Sequence, residues 1–65
     1  MVTSNIKITI NCDGSEMTDN FYFEGARIFK KLAKEFEKET IIFPKPIIDI
    51  NGNVIGEINL IEEEI

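Results

Sequence analysis

The sequence predicts an α+β fold: a small β-β-α-β-β domain in which one helix packs on one face of an antiparallel sheet. Three observations point there. Ile6 to Cys12 alternate apolar and polar residues without a fault, the signature of a half-buried strand. From Ala26 to Glu39 the apolar period becomes helical. Near the end, an Asn51-Gly52 pair sits between apolar runs, a strong local signal for a hairpin.

Each element has its own reason. In the first strand Ile6, Ile8, Ile10 and Cys12 are expected to face inward, with Lys7, Thr9 and Asn11 facing out. On that alternation Cys12 reads as a buried, inert thiol. Asp13-Gly14 marks a turn. Residues 15–24 carry two readings. Phe21 and Phe23 flank Tyr22 as they would in a second strand, the reading preferred because Gly25 would cost about 1 kcal/mol inside a helix. In the other reading, Ser15 or Thr18 caps a helix that runs on into the next segment.

The helix over 26–39 is expected to bury Phe29, Leu32, Ala33 and Phe36, with Ile28 at the border. Thr40 to Phe43 turns β-like in composition, an optional extra strand, and Pro44-Lys45-Pro46 then forms a rigid connection. In the final hairpin a two-residue type I′ turn at Asn51-Gly52 pairs Ile48 with Ile55. One extra residue at Gly56, a bulge, would return Ile58 and Leu60 to the core side. Residues 1–65 read as one domain, with 1–4 and 62–65 expected to fray.

Composition narrows the function. The 65 residues contain no His and one Cys, which removes His-dependent triads and dyads, internal disulfides and the usual zinc sites. No phosphate-loop spacing of glycines occurs. The expectation is a non-enzymatic chain without cofactor or metal. A formal net charge of −5 argues against general binding to nucleic acid or an anionic membrane. No apolar run is long enough for a membrane span, and the lone Cys12 with no export signal fits a reducing cytoplasm.

Charge is unevenly spread. Arg27, Lys31, Lys34 and Lys38 fall on one line of the helix, with Lys30 beside it, while most acids lie elsewhere. The candidate interaction surface is therefore that basic ridge together with the acidic Glu57, Glu62, Glu63 and Glu64. The leading expectation is a protein-interaction module or regulatory inhibitor, of the kind phages and mobile elements encode, whose partner is another protein or a second copy of itself in a homodimer. The alternatives are nucleic-acid binding through the ridge and a structural subunit of a larger complex.

Overall fold

A computed structural model describes residues 1–64, with the side chain of Ser15 left out of the description. Strand β1 (Val2–Ile10) leads into two helices, α1 (Ser15–Asp19) and α2 (Phe21–Glu37), followed by strands β2 (Lys45–Ile48) and β3 (Val54–Glu64). The class is α+β with an antiparallel sheet, but the order is β-α-α-β-β and the sheet has three strands. β3 lies in the middle, with β1 on one edge and β2 on the other.

The expected second strand is helix. Residues 15–24 follow the alternative reading, in which helix runs into helix with a break at Asn20. The N-cap position of α1 falls on Gly14, not on Ser15 or Thr18, and the Thr18 hydroxyl donates to the Gly14 carbonyl at 2.9 Å. The Phe21/Phe23 alternation misleads because Phe21, Tyr22 and Phe23 are all exposed. What holds this segment is a different pair of residues, Met17 and Glu24, both buried. The optional strand near 41–43 is also absent; those residues form an irregular crossing to β2, and the Phe43–Pro44 peptide is cis.

Helix α2 ends without the glycine that usually marks such a stop. Glu39 takes the left-handed conformation instead, at φ 56°. Its N–H donates to Phe36 O at 3.0 Å, and Thr40 N–H donates to Glu35 O at 3.1 Å, the paired bonds of a Schellman motif.

β1 and β3 pair along their whole length, Ile8 opposite Ile58 and Ile10 opposite Gly56. The segments expected to fray meet as strand ends, with Val2, Thr3 and Ser4 opposite Glu64, Glu63 and Glu62; Ile65 lies outside the described residues. Between β2 and β3 the register slips by one residue, from Ile47 opposite Gly56 to Ile48 opposite Val54. A bulge therefore exists, but its extra residue is Ile55 rather than Gly56, so Ile48 pairs with Val54 and not with Ile55; Ile58 faces the core, 1% exposed, while Leu60 stays 40% exposed.

The turn itself is not type I′. That turn needs positive φ at two successive residues, and only Gly52, at φ 85°, has it. The connection is a five-residue loop, Asp49 to Asn53, organised by the Asp49 carboxylate. Asp49 Oδ1 accepts from the N–H groups of Asn51 at 2.9 Å and Asn53 at 2.8 Å. These bonds, the one from Asn53 first, hold the Asp49 carboxyl below its usual pKa, and Arg27 adds to the effect.

The core is Met17, Ile28, Leu32, Ile47 and Ile58, with Ile10, Ile41, Phe43 and Ile55 packed around it. Phe29 and Phe36, expected inside, are 51% and 45% exposed, and Ala33 is exposed as well. Cys12 is likewise exposed rather than buried, because β1 ends at Ile10 and the alternation stops there.

Gly56 is needed for its size. All three strands meet at it, and a Cβ there would come within 1.8 Å of the Thr9 carbonyl oxygen. Gly56→Ala should therefore lower stability by about 2 kcal/mol or more, the scale of forced overpacking. Glu39→Gly should raise it by about 1 kcal/mol, by relieving the left-handed strain. Urea denaturation midpoints of the two variants should move in opposite directions.

Candidate interaction surfaces

The helix carries two clamps that fix how it lies on the sheet. Near its start Glu24, 1% exposed, accepts from Arg27 Nε at one carboxylate oxygen. Its other oxygen accepts from Ile50 N–H at 3.1 Å. Arg27 in turn donates through Nη2 to Ile48 O at 3.0 Å. Helix and hairpin loop are thus tied by a buried carboxylate and the guanidinium that neutralises it. Near the helix end Lys45 Nζ sits 2.8 Å from Glu35 Oε2, an ion pair poorly aligned as a hydrogen bond.

Glu24, Ile28, Leu32 and Glu35 form one line along α2, two acids bracketing two core residues. That line, not the Phe29/Phe36 line, faces the sheet. Both clamps also pull α2 toward β2, since Ile48 and Lys45 belong to that strand. The sheet is consequently covered unevenly. On the helix-facing side of β1, Ile6 and Ile8 are left 52% and 43% exposed, although Ile8 pairs directly with buried Ile58.

This asymmetry separates three surfaces. Beside β2, a groove runs past Arg27, Lys31, Glu35 and Lys45. On the opposite side of the helix, Tyr22, Phe29 and Phe36 follow one line as an exposed aromatic flank, with Phe36 half covered by Phe43, whose ring centroid lies 6.4 Å away. Phe29 and Tyr22 share an apolar groove with Ile10 of β1 and Met17 of α1, and its only sulfur besides Met17 is Cys12. Third, among the described residues no strand lies beside the outer edge of β1.

The sequence-predicted site residues lie on α2, its C-cap Lys38 included, and on β3. Lys34 and Lys38 are exposed, and Lys31 borders the β2 groove. Arg27 is not a free member of the ridge, because its guanidinium is engaged by Glu24 and Ile48. Glu57 projects from the face turned away from the helix, opposite Thr9 and Pro46. Glu62, Glu63 and Glu64 are exposed at the far end of β3, alternating between the two faces. Lys31, Lys34 and Lys38 thus stay exposed along one line of α2 and its C-cap, while the four acids lie on β3.

The aromatic flank is hidden from sequence because helical periodicity assigns Phe29 and Phe36 to the core and the Phe21/Phe23 alternation places Tyr22 in a strand. Glu24 is hidden too, since an acid-equals-solvent rule places it outside. A signal existed: Glu24, Ile28, Leu32 and Glu35 follow helical spacing as well as the aromatic line does.

Among the described residues no group of three or more His, Cys, Asp or Glu side chains could hold a metal ion. No described helix is long and apolar enough to cross a membrane. No protein-family model matches the chain, and no curated protein or solved structure matches it either.

The hairpin clamp gives a direct test. Glu24→Ala leaves the Ile50 N–H unpaired and strips Arg27 of its counter-charge, with only Ile48 O left to it, and should cost about 2–3 kcal/mol, somewhat below a fully buried pair because Arg27 is part-exposed. Glu24→Gln keeps an acceptor for Ile50 and should cost less. Chemical denaturation of the two variants side by side should show that order.

Proposed function

We propose that this chain is a non-catalytic protein-interaction module whose contact surface is the aromatic flank of α2 together with the open edge of β1. The observation that carries this reading is the exposure of Tyr22 and Phe29, which share an apolar groove with Ile10 of β1, together with half-bare Ile6 and Ile8 earlier on that strand. An apolar surface of that extent on so small a chain marks a site of association. Tyr and Phe are the residue types that anchor such contacts, since they bury large area with few rotatable bonds.

The acidic body, −5 overall, then acts at longer range, favouring cationic partners and discouraging nucleic acid. The nucleic-acid reading loses one of its four ridge cations, because Arg27 serves the fold. An exposed lone Cys12 suits a reducing cytoplasm as the place of action.

A photo-crosslinking residue placed at Tyr22 or Phe29 in the native cell should capture a discrete product, at twice the chain mass or at the mass of another protein. The same residue at Lys34 should capture little. Equal capture at all three positions, or none at any, would contradict the reading.

A further inference from the structure

This inference rests on the interaction-surface reading above and names the occupant. We propose that a second copy of this chain pairs with the β1 edge, antiparallel about a twofold axis through Ile6. Two three-stranded sheets then become one six-stranded sheet, with both α2 helices on the same face.

The two edges of the sheet differ in their protection. β2 is four residues long and carries Lys45 and Pro46, devices that discourage edge pairing. β1 is nine residues long, holds no acid, and has Lys7 as its one charge. An open edge of that length is a template for another strand.

The backbone of β1 shows which groups such a strand would meet. Asn11 N–H donates to Ile55 O at 2.6 Å, so the odd-numbered residues turn their N–H and C=O groups toward β3. By alternation, Ser4, Ile6 and Ile8 turn theirs to the open edge. The side chains of Ile6 and Ile8 lie on the helix-facing side, level with Leu60 and Ile58. Edge pairing therefore satisfies the outward backbone groups and brings the bare isoleucines of two copies together. It also sets two aromatic flanks facing each other across the new seam.

Register follows from charge and length. A twofold axis at Lys7 would set two ammonium groups directly opposite, which is unfavourable. An axis at Ile8 pairs only Ile6 to Ile10. An axis at Ile6 pairs the whole of Val2–Ile10 and places Lys7 opposite Asn5 of the other copy.

Area supports a partner of the chain's own kind. A folded monomer of 7.4 kDa should expose about 4,200 Å². This chain exposes 4987 Å², and its extents of 43 × 25 × 18 Å show an elongated body. The excess is roughly the 800 Å² that each partner contributes to an interface of standard size. An edge strand that pairs with itself is the self-complementary patch a twofold dimer requires. The two copies repel at long range through their net charge, so added salt should strengthen this association, whereas it would weaken binding to nucleic acid.

The test combines sedimentation equilibrium with amide hydrogen exchange on the full chain. The expected result is twice the monomer mass at tens of micromolar. The Ser4, Ile6 and Ile8 amides should exchange at least about tenfold more slowly in the dimer than on dilution, while those of Asn5, Lys7 and Thr9 stay protected throughout. Ile6→Pro removes an outward N–H and spares the β1–β3 ladder, so it should give a monomer. Should that variant fail to fold, Ile6→Lys sets like charges across the axis and should weaken the dimer roughly tenfold.

A monomer at the highest soluble concentration would overturn the proposal, as would a dimer whose Ser4, Ile6 and Ile8 amides exchange as in the monomer. A monomer that still gives cross-links from Tyr22 to a different protein overturns the second copy alone. A monomer with no cross-link from Tyr22 overturns the interaction surface as well.

Discussion

The buried Glu24 carboxylate is the contact on which the rest of the arrangement depends. A carboxylate that is 1% exposed is tolerable only when it is neutralised and hydrogen-bonded, and Arg27 and the Ile50 N–H supply both conditions. Those partners have directions. Glu24 must point at the hairpin loop, and a helix is rigid, so the orientation of Ile28, Leu32 and Glu35 follows from it. Once that line is down, the Tyr22, Phe29 and Phe36 line cannot be. The aromatic flank is exposed because the helix is anchored elsewhere.

The clamp also explains why so few residues are buried. Glu24 and Glu35 occupy two positions of the helix line that a larger protein would fill with apolar residues, leaving Ile28 and Leu32 to face Ile47 and Ile58. A chain of this size buries only about 60% of its unfolded surface in any case. Polar anchoring gives the helix one orientation at the expense of core volume, and the large apolar side chains are displaced to a surface where they meet solvent or a partner. Gly56 applies a comparable constraint to the sheet, because Thr9 approaches its backbone too closely for any side chain.

Much of this was legible in the sequence where one local rule operates alone. The alternation of Ile6, Ile8 and Ile10 located β1, the helical period located most of α2, and the apolar runs around residues 51 and 52 located the hairpin with its bulge. Failures came where two rules competed. Phe21-Tyr22-Phe23 alternates like a strand, yet Met17 and Glu24 pull the segment into helix. Asn51-Gly52 has the composition of a type I′ turn, yet the Asp49 carboxylate organises a longer loop with its own hydrogen bonds. The helix phase was lost for a related reason: hydrophobicity chose the aromatic line, whereas the long-range partners of Glu24 and Glu35 decide the outcome. Of the candidate site, the charged residues were named correctly as exposed except Arg27, and the apolar surface was not seen, because local pattern assigns Phe29 and Phe36 to a core and Tyr22 to a strand.

The most direct test of the account compares two neighbouring helix positions. Ile28→Ala and Phe29→Ala should be denatured by urea at a concentration where the chain is monomeric. Ile28 lies on the clamped line and Phe29 on the flank. The account predicts a loss of about 2–4 kcal/mol for Ile28→Ala, the cost of truncating a buried side chain, and less than half of that for Phe29→Ala. The reverse order, with Phe29→Ala the more damaging, would contradict it by placing the aromatic line against the sheet.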